Sequence, residues 1–437
     1  MTASSSPGAV PGAVRPPAHG MLPAVEARRG GDLVFVSSVY PIENQAVVSA
    51  RSVSPYVGDS EMAAQARAAL GQLAHVLASA GSAVERTLRV EVFLADPFDF
   101  YEFNLVWKEF FAEEPPARTT IVVGDEHIVP GCRLNLHAVA LASDSRWERT
   151  AVRLDDDVDS MQAEHAPDAV RAGPFVFVSG FPATDFRTGL AVGRQPGFPN
   201  YGSDAELQAR YVVERCERIA QAAGTSIQQA LKVQFYETDL ANFPAVDRVW
   251  GEHVGVPPTR SSMGCRGLLV PGALFQANLL LLVPDEEHVK QETRAGIRWH
   301  PVDVRRVNFS PGLTAGRWLF TAGQVPLPDI AVPRWVGAPP GLPYHFSDIE
   351  IQTEFTLELL REQLSANDFS FADVVDARIY LTSPRRDYRG FERVWRRNFT
   401  GGPLPAMSLI PASQEDGDTG ILFPGPIVEI DLTSWKP

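Results

Sequence analysis

Residues 100–120, FYEFNLVWKEFFAEEPPARTT, decide the fold. This stretch predicts an amphipathic helix that ends in paired phenylalanines, a short acidic loop, and a strand entered through Pro-Ala-Arg. The same pattern returns at residues 242–262, NFPAVDRVWGEHVGVPPTRSS, and at residues 387–409, DYRGFERVWRRNFTGGPLPAMSL. The tryptophans of the three copies are 143 and 145 residues apart, at Trp107, Trp250 and Trp395. So regular a period indicates three copies of one structural unit.

Outside this stretch, each copy predicts the same order of elements. The first copy has strands at 32–38, 89–95, 119–123 and 133–142, with helices at 61–80 and 100–111. The second has strands at 175–180, 232–238 and 275–283, with helices at 206–223 and 242–254. The third has strands at 318–324, 377–382 and 427–433, with helices at 348–365 and 388–399. The sequence therefore predicts an α+β fold in which each unit is a mixed sheet with two helices on one face.

The predicted domain boundaries follow from the repeat. They are a disordered leader rich in Ala, Pro, Ser and Gly at 1–18, followed by domains at 19–145, 146–290 and 291–437. Helices on one face leave the other face of each sheet uncovered, and three such faces in one chain are best buried against one another. We therefore expect a closed intramolecular pseudo-trimer, a pseudo-threefold barrel of sheets with the helices outside, that is monomeric in solution.

Composition limits the partners. The 437-residue chain has a formal net charge of −14, which argues against a nucleic-acid backbone or an anionic membrane as the main partner. Its three cysteines form no CxxC pair, which is typical of a reducing, cytoplasmic setting. The sequence has no apolar run of membrane-spanning length, no metal-ligand motif and no dinucleotide fingerprint, so we expect no metal and no cofactor.

The motifs of the three copies resemble the RidA (YjgF/YER057c/UK114) family, whose domains have a chorismate-mutase-like fold. The shared features are an opening strand that ends in small residues, a long helix that ends at Ala-Gly, an aromatic entry to the second helix, and Pro-Ala-Arg before the next strand. The opening motif ends at Ser38, Gly180 and Gly323. The resemblance implies ligand sites at the interfaces of a trimer. It also implies hydrolysis of enamines or imines derived from amino acids, with release of ammonia and a keto acid.

The resemblance also assigns site positions. The carboxylate-binding arginine of the family corresponds to Arg118 and Arg260, and to Met407 in the third copy. The water-positioning glutamate corresponds to Glu429, with Asn135 and Gln276 at that position in the first and second copies. The tyrosine near the N-terminal loop of family members corresponds to about Leu22, Ala166 and Phe309. No single copy carries both the arginine and the glutamate.

Each candidate side chain suits a small carboxylate-bearing substrate. A guanidinium offers a planar fork that matches a carboxylate, and Thr120 and Ser262 add hydroxyl groups beside Arg118 and Arg260. The alternative for the arginines is a structural ion pair with an acidic neighbour such as Glu113 or Glu114.

Proton transfer has its own candidates. Glu429 is the candidate general base, with a solvated strand face as the alternative. His137 is a second candidate, although a strand histidine is more often simply hydrogen-bonded. A Cys265 nucleophile activated by a nearby base remains a further alternative, with His253 as the preceding histidine.

The sequence leaves three functions open. The first is an enzyme that hydrolyses a carboxylated enamine or imine at inter-domain pockets. The second is a specialised biosynthetic elimination, cyclisation or hydrolysis on the same scaffold, and the third is ligand binding without turnover. Since fused copies can diverge independently, we expect one or two of the three interfaces to work, and a working one to include Arg118 or Arg260.

Overall fold

The computed structural model describes residues 25–49, 58–155, 165–193, 202–293, 308–327, 336–400, 402–414 and 420–437. The predicted leader at 1–18 and the position of Leu22 lie outside these residues. Three α+β units follow one another along the chain, and their order of elements repeats.

The first unit contains β1 Ala27–Gly30, β2 Leu33–Val39, β3 Ile42–Glu43, β4 Ala46–Val47, α1 Glu61–Ser79, β5 Thr87–Leu94, α2 Phe100–Phe110, β6 Ala117–Val122 and β7 Leu134–Leu141. The second contains β8 Arg149–Val152, β9 Ala169–Ala172, β10 Phe175–Val178, β11 Phe181–Pro182, α3 Asp204–Ala222, β12 Ala230–Glu237, α4 Phe243–His253, β13 Thr259–Gly264 and β14 Phe275–Leu282. The third contains β15 Lys290–Glu292, β16 Gly312–Ala315, β17 Trp318–Thr321, α5 Asp348–Ala366, β18 Val374–Leu381, α6 Pro384–Asn398, β19 Ala406–Pro411 and β20 Val428–Trp435.

Each unit has one mixed sheet. The strand orders are β1-β2-β7-β5-β6, β13-β12-β14-β10-β9-β8 with β11 paired to β14, and β15-β16-β17-β20-β18-β19. One edge strand in every sheet is parallel to its neighbour, namely β6 to β5, β13 to β12 and β19 to β18. These are the strands that follow the tryptophan helices, so the sequence motif places the arginine positions on a sheet edge.

Local sequence explains the long helices. Ser60 caps α1 by accepting a hydrogen bond from the backbone N–H of Ala63 at 3.1 Å, and Ser203 caps α3 in the same way. Apolar residues at helical spacing then bury one face of each helix against its sheet. Trp107, Trp250 and Trp395 are fully buried in the three cores between helices and sheets.

The opposite faces of the three sheets pack against one another. Two buried apolar clusters each draw residues from all three units, and they include Phe35, Phe177 and Phe320 in one cluster and Phe93, Tyr236 and Tyr380 in the other. This confirms the predicted burial of sheet faces within one chain. The closed barrel expected from the sequence was wrong, because among the described residues each sheet keeps its own strand order. The three sheets are joined by face-to-face packing and by single backbone hydrogen bonds between units, such as that from Gly180 to Arg118.

The edge strand of each unit contacts the opening strand of the next. Strand β6 meets β10, β13 meets β17, and β19 meets β2, which closes the ring from the third unit to the first. Segments that follow the last strand of each unit cover a turn of the next unit. The Trp147 ring covers Gly173, the chain at Glu287 covers Gly316, and the Trp435 ring covers Gly31.

The predicted elements agree with the structure apart from their ends and several short strands. The hairpin partners β1, β9 and β16, and the linker strands β8 and β15, were not predicted. These four- or three-residue segments are too short to show a clear alternation of apolar residues, and pairing with a neighbouring strand is what makes them extended.

Candidate active site at the domain interfaces

The two arginines lie on the edge strands and point towards the second helix of their own unit. Arg118 is fully buried, donates from Nη1 to Oδ1 of Asn104 at 2.8 Å, and lies over the Trp107 ring at 4.8 Å. Arg260 donates from Nη1 to Oδ1 of Asp247 at 2.6 Å. The structural ion pair that the sequence left as the alternative is present for Arg260, with Asp247 as the partner. Glu113 and Glu114 are exposed, and Glu114 pairs with Arg149.

Backbone hydrogen bonds join each arginine position to the next unit. The N–H of Gly180 donates to the carbonyl of Arg118 at 3.0 Å, and the N–H of Gly323 donates to the carbonyl of Arg260 at 3.0 Å. In the third case the N–H of Met407 donates to the side-chain Oγ of Ser37 at 3.0 Å, and the N–H of Leu409 donates to Oγ of Ser38 at 2.9 Å. Each site is therefore assembled from two units, with the arginine position from one and the glutamate position from the next.

Three interfaces result. We call them the first interface (Arg118, Gly180 and Gln276), the second interface (Arg260, Gly323 and Glu429) and the third interface (Met407, Ser38 and Asn135). Only at the second interface, among these positions, do an arginine and a glutamate meet. The combination that no single copy holds is thus present between two copies.

At the second interface, the Glu429 carboxyl lies directly against the Gly323 backbone. A Cβ atom on residue 323 would stand 1.8 Å from Oε1 of Glu429, so a side chain at this position would displace the Glu429 carboxyl. Ser261 lies beside both carboxyl groups of the strand, and its Oγ donates to Oδ2 of Asp431 at 2.7 Å. Glu429 is 6% exposed, so it does not lie on the solvated strand face that the sequence left as an alternative.

Charges around Glu429 set its protonation. Burial and the neighbouring carboxylate of Asp431 raise the pKa of Glu429 to about 8, while the Arg260 guanidinium and the Ser261 hydroxyl oppose the rise. A carboxyl with this pKa exchanges a proton near neutral pH, as a general acid or base requires.

Aromatic rings surround the Arg260 guanidinium. Its central carbon lies 5.1 Å from the Phe235 ring, 5.0 Å from the Phe243 ring and 5.6 Å from the Phe309 ring. Phe309 comes from the third unit and stands at the position that corresponds to the tyrosine of the resembling family. The rings keep the cation in an apolar environment, where its attraction for a carboxylate is stronger than in water.

The first interface has the arginine but no carboxyl. Nε2 of Gln276 donates to the Thr120 carbonyl at 3.4 Å, and a Cβ atom on Gly180 would stand 2.7 Å from the same Nε2. The third interface lacks both charges. Nδ2 of Asn135 donates to the Leu409 carbonyl at 3.0 Å and to the Tyr40 hydroxyl at 3.3 Å, while Met407 packs into the core of the third unit.

The predicted hydroxyl residues have different surroundings. Thr120 and Ser262 stand two residues after the arginines on the same strand face, and both side chains are buried. The hydroxyl oxygens of both residues have no hydrogen-bond partner among the described residues. They therefore retain hydrogen-bonding capacity beside the two arginines.

His137 lies apart from the three glutamate positions, in a buried polar network between the sheets. Its Nδ1 is 3.2 Å from Oε2 of Glu91, and its Nε2 is 3.1 Å from Oδ1 of Asp376. Burial lowers the pKa of His137, but Asp376 and Glu91 outweigh burial and raise it above the usual value. Arg378 completes the network with two 2.6 Å bonds to Glu91.

The cysteine alternative has no support in the geometry. Burial raises the pKa of the Cys265 thiol to about 12, which disfavours the thiolate that a nucleophile needs. Nδ1 of His253 is bonded to its own helix, 2.8 Å from the Val249 carbonyl. In the part of the chain that the structure describes, no three His, Cys, Asp or Glu side chains form a cluster suited to a metal ion, and no helix is long and apolar enough to cross a membrane.

Asp247 is a site residue that sequence reasoning did not single out. It lies three residues before Trp250, and the other copies have Asn104 and Glu392 at that position. Comparing the residue that stands three positions before the tryptophan in each copy would have identified this helix position. Its side chain binds the arginine in the first and second units. The structure adds that Asp247 also accepts from Nδ2 of Asn308 in the third unit at 3.0 Å.

One cavity lies away from the three interfaces. It has a volume of about 970 Å³ and is lined by turn residues that include Gly31, Trp147, Arg171, Arg317 and Trp435. Trp435 and Glu429 are at opposite ends of β20, roughly 20 Å apart at the rise of an extended strand. The cavity therefore does not belong to the second interface.

Comparison with known proteins agrees with the triplication. The sequence model described as Endoribonuclease L-PSP matches residues 18–142, 160–279 and 304–421. The chain is 36% identical over 105 residues to the 3-aminoacrylate deaminase RutC of Acinetobacter baylyi, a match that covers 24% of this chain and 76% of that protein.

Two of the solved structures that are similar to this chain are a YjgF-family protein and a chorismatase. Rv2704 of Mycobacterium tuberculosis, a member of the YjgF/YER057c/UK114 family, is 24% identical, covers 31% of this chain and 100% of its own, and has a TM-score of 0.26. A chorismatase structure is 13% identical, covers 80% of this chain and 93% of its own, and has a TM-score of 0.44.

Proposed function

Since this chain belongs to the Endoribonuclease L-PSP family, we propose that it is an enzyme that hydrolyses a small carboxylate-bearing imine or enamine at the second interface. The observation that carries the proposal is the convergence of Arg260 and Glu429 from different units beside the backbone of Gly323. The deaminase activity in the name of the RutC relative supports the reaction class, because 3-aminoacrylate is an enamine that bears a carboxylate.

Arg260 binds the substrate carboxylate in this proposal. Its guanidinium is fixed by Asp247 and is surrounded by aromatic rings, so its orientation is set before the substrate arrives. Binding a carboxylate there places the carbon–nitrogen double bond of a 2-imino acid within reach of residues on the Glu429 side. The hydroxyl of Ser262 offers a further hydrogen bond to the substrate.

Glu429 moves the protons. For an imine, a water oxygen bonds to the imine carbon while Glu429 takes a proton from that water. The protonated Glu429 gives this proton to the nitrogen, which forms a carbinolamine. Glu429 then takes the proton of the carbinolamine hydroxyl and passes it to the nitrogen as the carbon–oxygen double bond forms and the carbon–nitrogen bond breaks, which releases ammonia and leaves a keto acid. A carboxyl whose pKa is about 8 can accept and return a proton at neutral pH, whereas Gln276 and Asn135 at the other interfaces cannot.

The test is turnover of a freshly generated 2-imino acid, with ammonia and the keto acid both measured. We expect equal amounts of both products from the wild-type chain, at a rate above that in buffer. Loss of this activity in Glu429→Gln and Arg260→Lys, with unchanged thermal unfolding, would support the assignment to the second interface. Wild-type protein that gives no rate above buffer with any small 2-imino acid would refute it.

The first interface supports a second function, carboxylate binding without turnover. Arg118 is bonded to the neutral amide of Asn104, and the facing position is the neutral Gln276. A positive charge among neutral neighbours suits an anion but supplies no proton-transfer group. Calorimetric titration of wild type and Arg118→Lys with a 2-oxo acid tests this function. A second binding event that is present in wild type and absent in Arg118→Lys would indicate binding at the first interface.

A further inference from the structure

A second buried glutamate lies on the strand paired with that of Arg260 and interacts electrostatically with its guanidinium. Glu237 is the last residue of β12, and it pairs in register with Gly264 of the arginine strand. The equivalent last residues of β5 and β18 are Leu94 and Leu381, and both pack in the apolar cores between helices and sheet. One unit of three therefore has an acid where the fold itself favours leucine.

The Glu237 carboxyl is enclosed without partners. It is fully buried, and neither carboxyl oxygen has a hydrogen-bond partner among the described residues. An ionised carboxylate in such a position carries a large desolvation penalty, so the group keeps its proton. Burial accordingly raises the pKa of Glu237 to about 8, with Asp247 and Asp239 adding to the rise and Arg260 opposing it.

Glu237 belongs to the second interface by its surroundings. The guanidinium of Arg260 lies close enough to Glu237 and Glu429 to interact electrostatically with both. Gln414 of the third unit covers the register partner Gly264, since a Cβ atom there would stand 2.6 Å from its side chain. The charged and titratable groups around Glu237 are thus Arg260 on β13, Asp247 on α4, Asp239 in the following turn and Cys265 after β13.

We propose that Glu237 is the proton donor that extends the site from imines to enamines. This inference rests on the proposed function of the second interface. An enamine must gain a proton on carbon before water can add, and imine hydrolysis has no such step. The O–H bond of Glu237 breaks, a C–H bond forms at the enamine carbon, and the nitrogen lone pair forms the carbon–nitrogen double bond of an iminium ion. Arg260 then stabilises the Glu237 carboxylate.

The two glutamates divide the protons between them. Both carboxyls have a pKa of about 8, so each can carry a proton at neutral pH. Neither carboxyl oxygen of Glu237 has a hydrogen-bond partner among the described residues, which favours its protonated form, so in this proposal Glu237 serves carbon and Glu429 serves water. When the carbon–oxygen double bond forms, the hydroxyl proton of the intermediate is released to solvent. Glu237 takes up one proton from solvent and is ready for the next turnover.

The experiment compares two substrates in three proteins. Wild type, Glu237→Leu and Glu237→Gln are assayed with a 2-imino acid and with a 3-enamino acid whose amine is conjugated to the carboxylate. Glu237→Leu installs the residue that the other two units have at this position, so we expect it to fold and to unfold at the same or a higher temperature. Glu237→Gln keeps the shape and polarity but has no acidic proton.

The expected result is a change in the ratio of the two activities. In both variants, kcat/KM for the enamine should fall about 100-fold further than kcat/KM for the imine, the effect of losing a positioned proton donor. In D₂O, the wild type should add deuterium to one face of the enamine carbon, and the variants should lose that preference. Equal losses for both substrates, or no loss, would overturn the role of Glu237 while wild-type turnover upholds the proposed function. Wild type that hydrolyses neither substrate would overturn both.

Discussion

The second and third interfaces join equivalent strands, β13 to β17 and β19 to β2, and have opposite chemistry. At the second, Arg260 faces Glu429 across the Gly323 backbone, and at the third, Met407 and Asn135 occupy the matching positions. At these positions the third interface has only neutral hydrogen bonds and apolar contacts, while the ion pairs Arg378–Glu91 and Arg385–Asp125 join the same two units elsewhere. The pair of Arg260 and Glu429 is therefore not needed to close the ring of units. Its presence at the second interface indicates a role in binding or catalysis.

The fused chain explains how this difference can exist. In a homotrimer each substitution appears at all three sites, whereas three linked copies can change one at a time. The first interface is intermediate, with Arg118 present and the carboxyl replaced by Gln276. The three interfaces therefore form a graded series, which the following predictions use.

The largest effect is expected from Glu429→Gln. The amide keeps the shape of the side chain and cannot carry a proton to or from water, so kcat/KM should fall about 100- to 10,000-fold. The matched control is Gln276→Asn at the first interface, which should leave kcat/KM within about threefold. Equal losses in the two variants would remove the distinction between the first and second interfaces.

Arg260→Lys should be the next largest effect. The ammonium keeps the charge and loses the planar fork, which should reduce kcat/KM by roughly 30- to 1000-fold. Arg118→Lys is the control. It should cost about 1–3 kcal/mol of stability, because it removes the bond to Asn104 and the contact with Trp107, with kcat/KM within about threefold. Steady-state kinetics and urea unfolding on both variants measure these effects, and full activity of Arg260→Lys would exclude the carboxylate clamp.

Stability should depend on pH through the buried glutamates. The pKa of Glu429 and of Glu237 is about 8 in the folded chain, whereas the usual value of 4.5 applies in the unfolded chain. Between pH 4.5 and pH 8 the folded chain therefore binds more protons than the unfolded chain. The free energy of unfolding should therefore fall as pH rises from about 4.5 to about 8, then level off.

Glu237→Leu should remove about one proton from this linkage, or up to about 1.4 kcal/mol per pH unit. Urea unfolding between pH 5 and pH 9 tests it, with Glu252→Leu on an exposed helix position as the control. Parallel stability curves for wild type and Glu237→Leu would show that Glu237 titrates normally.

The smallest effect is expected at the third interface. Met407→Leu conserves volume in the core of the third unit and should cost less than about 1.5 kcal/mol, with unchanged kcat/KM. Thermal unfolding and steady-state kinetics check both statements. A large loss of activity would mean that the third interface takes part in catalysis.

We propose that the chain is a monomer, because the ring of units closes within one chain. Light scattering should give a mass near 47.8 kDa that does not change on dilution. A mass of about twice or three times that value would contradict the proposal.

The repeat made most of the fold predictable. Three tryptophans at a near-constant spacing established the number of units, and apolar periodicity located all six long helices. The assembled site was less predictable, because Arg260 and Glu429 are 169 residues apart and belong to different copies. Within each single copy, the arginine and the glutamate of the site do not occur together. Only the packing of one unit on the next shows that Arg260 and Glu429 belong to the same site.

The sequence also did not show which individual charged side chains are buried. Glu237 follows Tyr236 at the end of a strand and looks like an ordinary strand-terminal acid, yet its equivalents Leu94 and Leu381 show that the position faces a core. The signal was available from an alignment of the three copies. In the same way, His137 follows Asn135 on one strand face, but the neighbouring sheets enclose it with Glu91 and Asp376.

The central claim is that one composite site, built from Arg260 and Glu429, does the work of the chain. The most direct measurement is a crystal structure of the protein with a 2-oxo acid, the expected product class, bound at increasing concentrations. The account predicts electron density first at the second interface, with the ligand carboxylate on Arg260 and its keto carbon facing Glu429. Density that appears first at the third interface, or equally at all three, would contradict it.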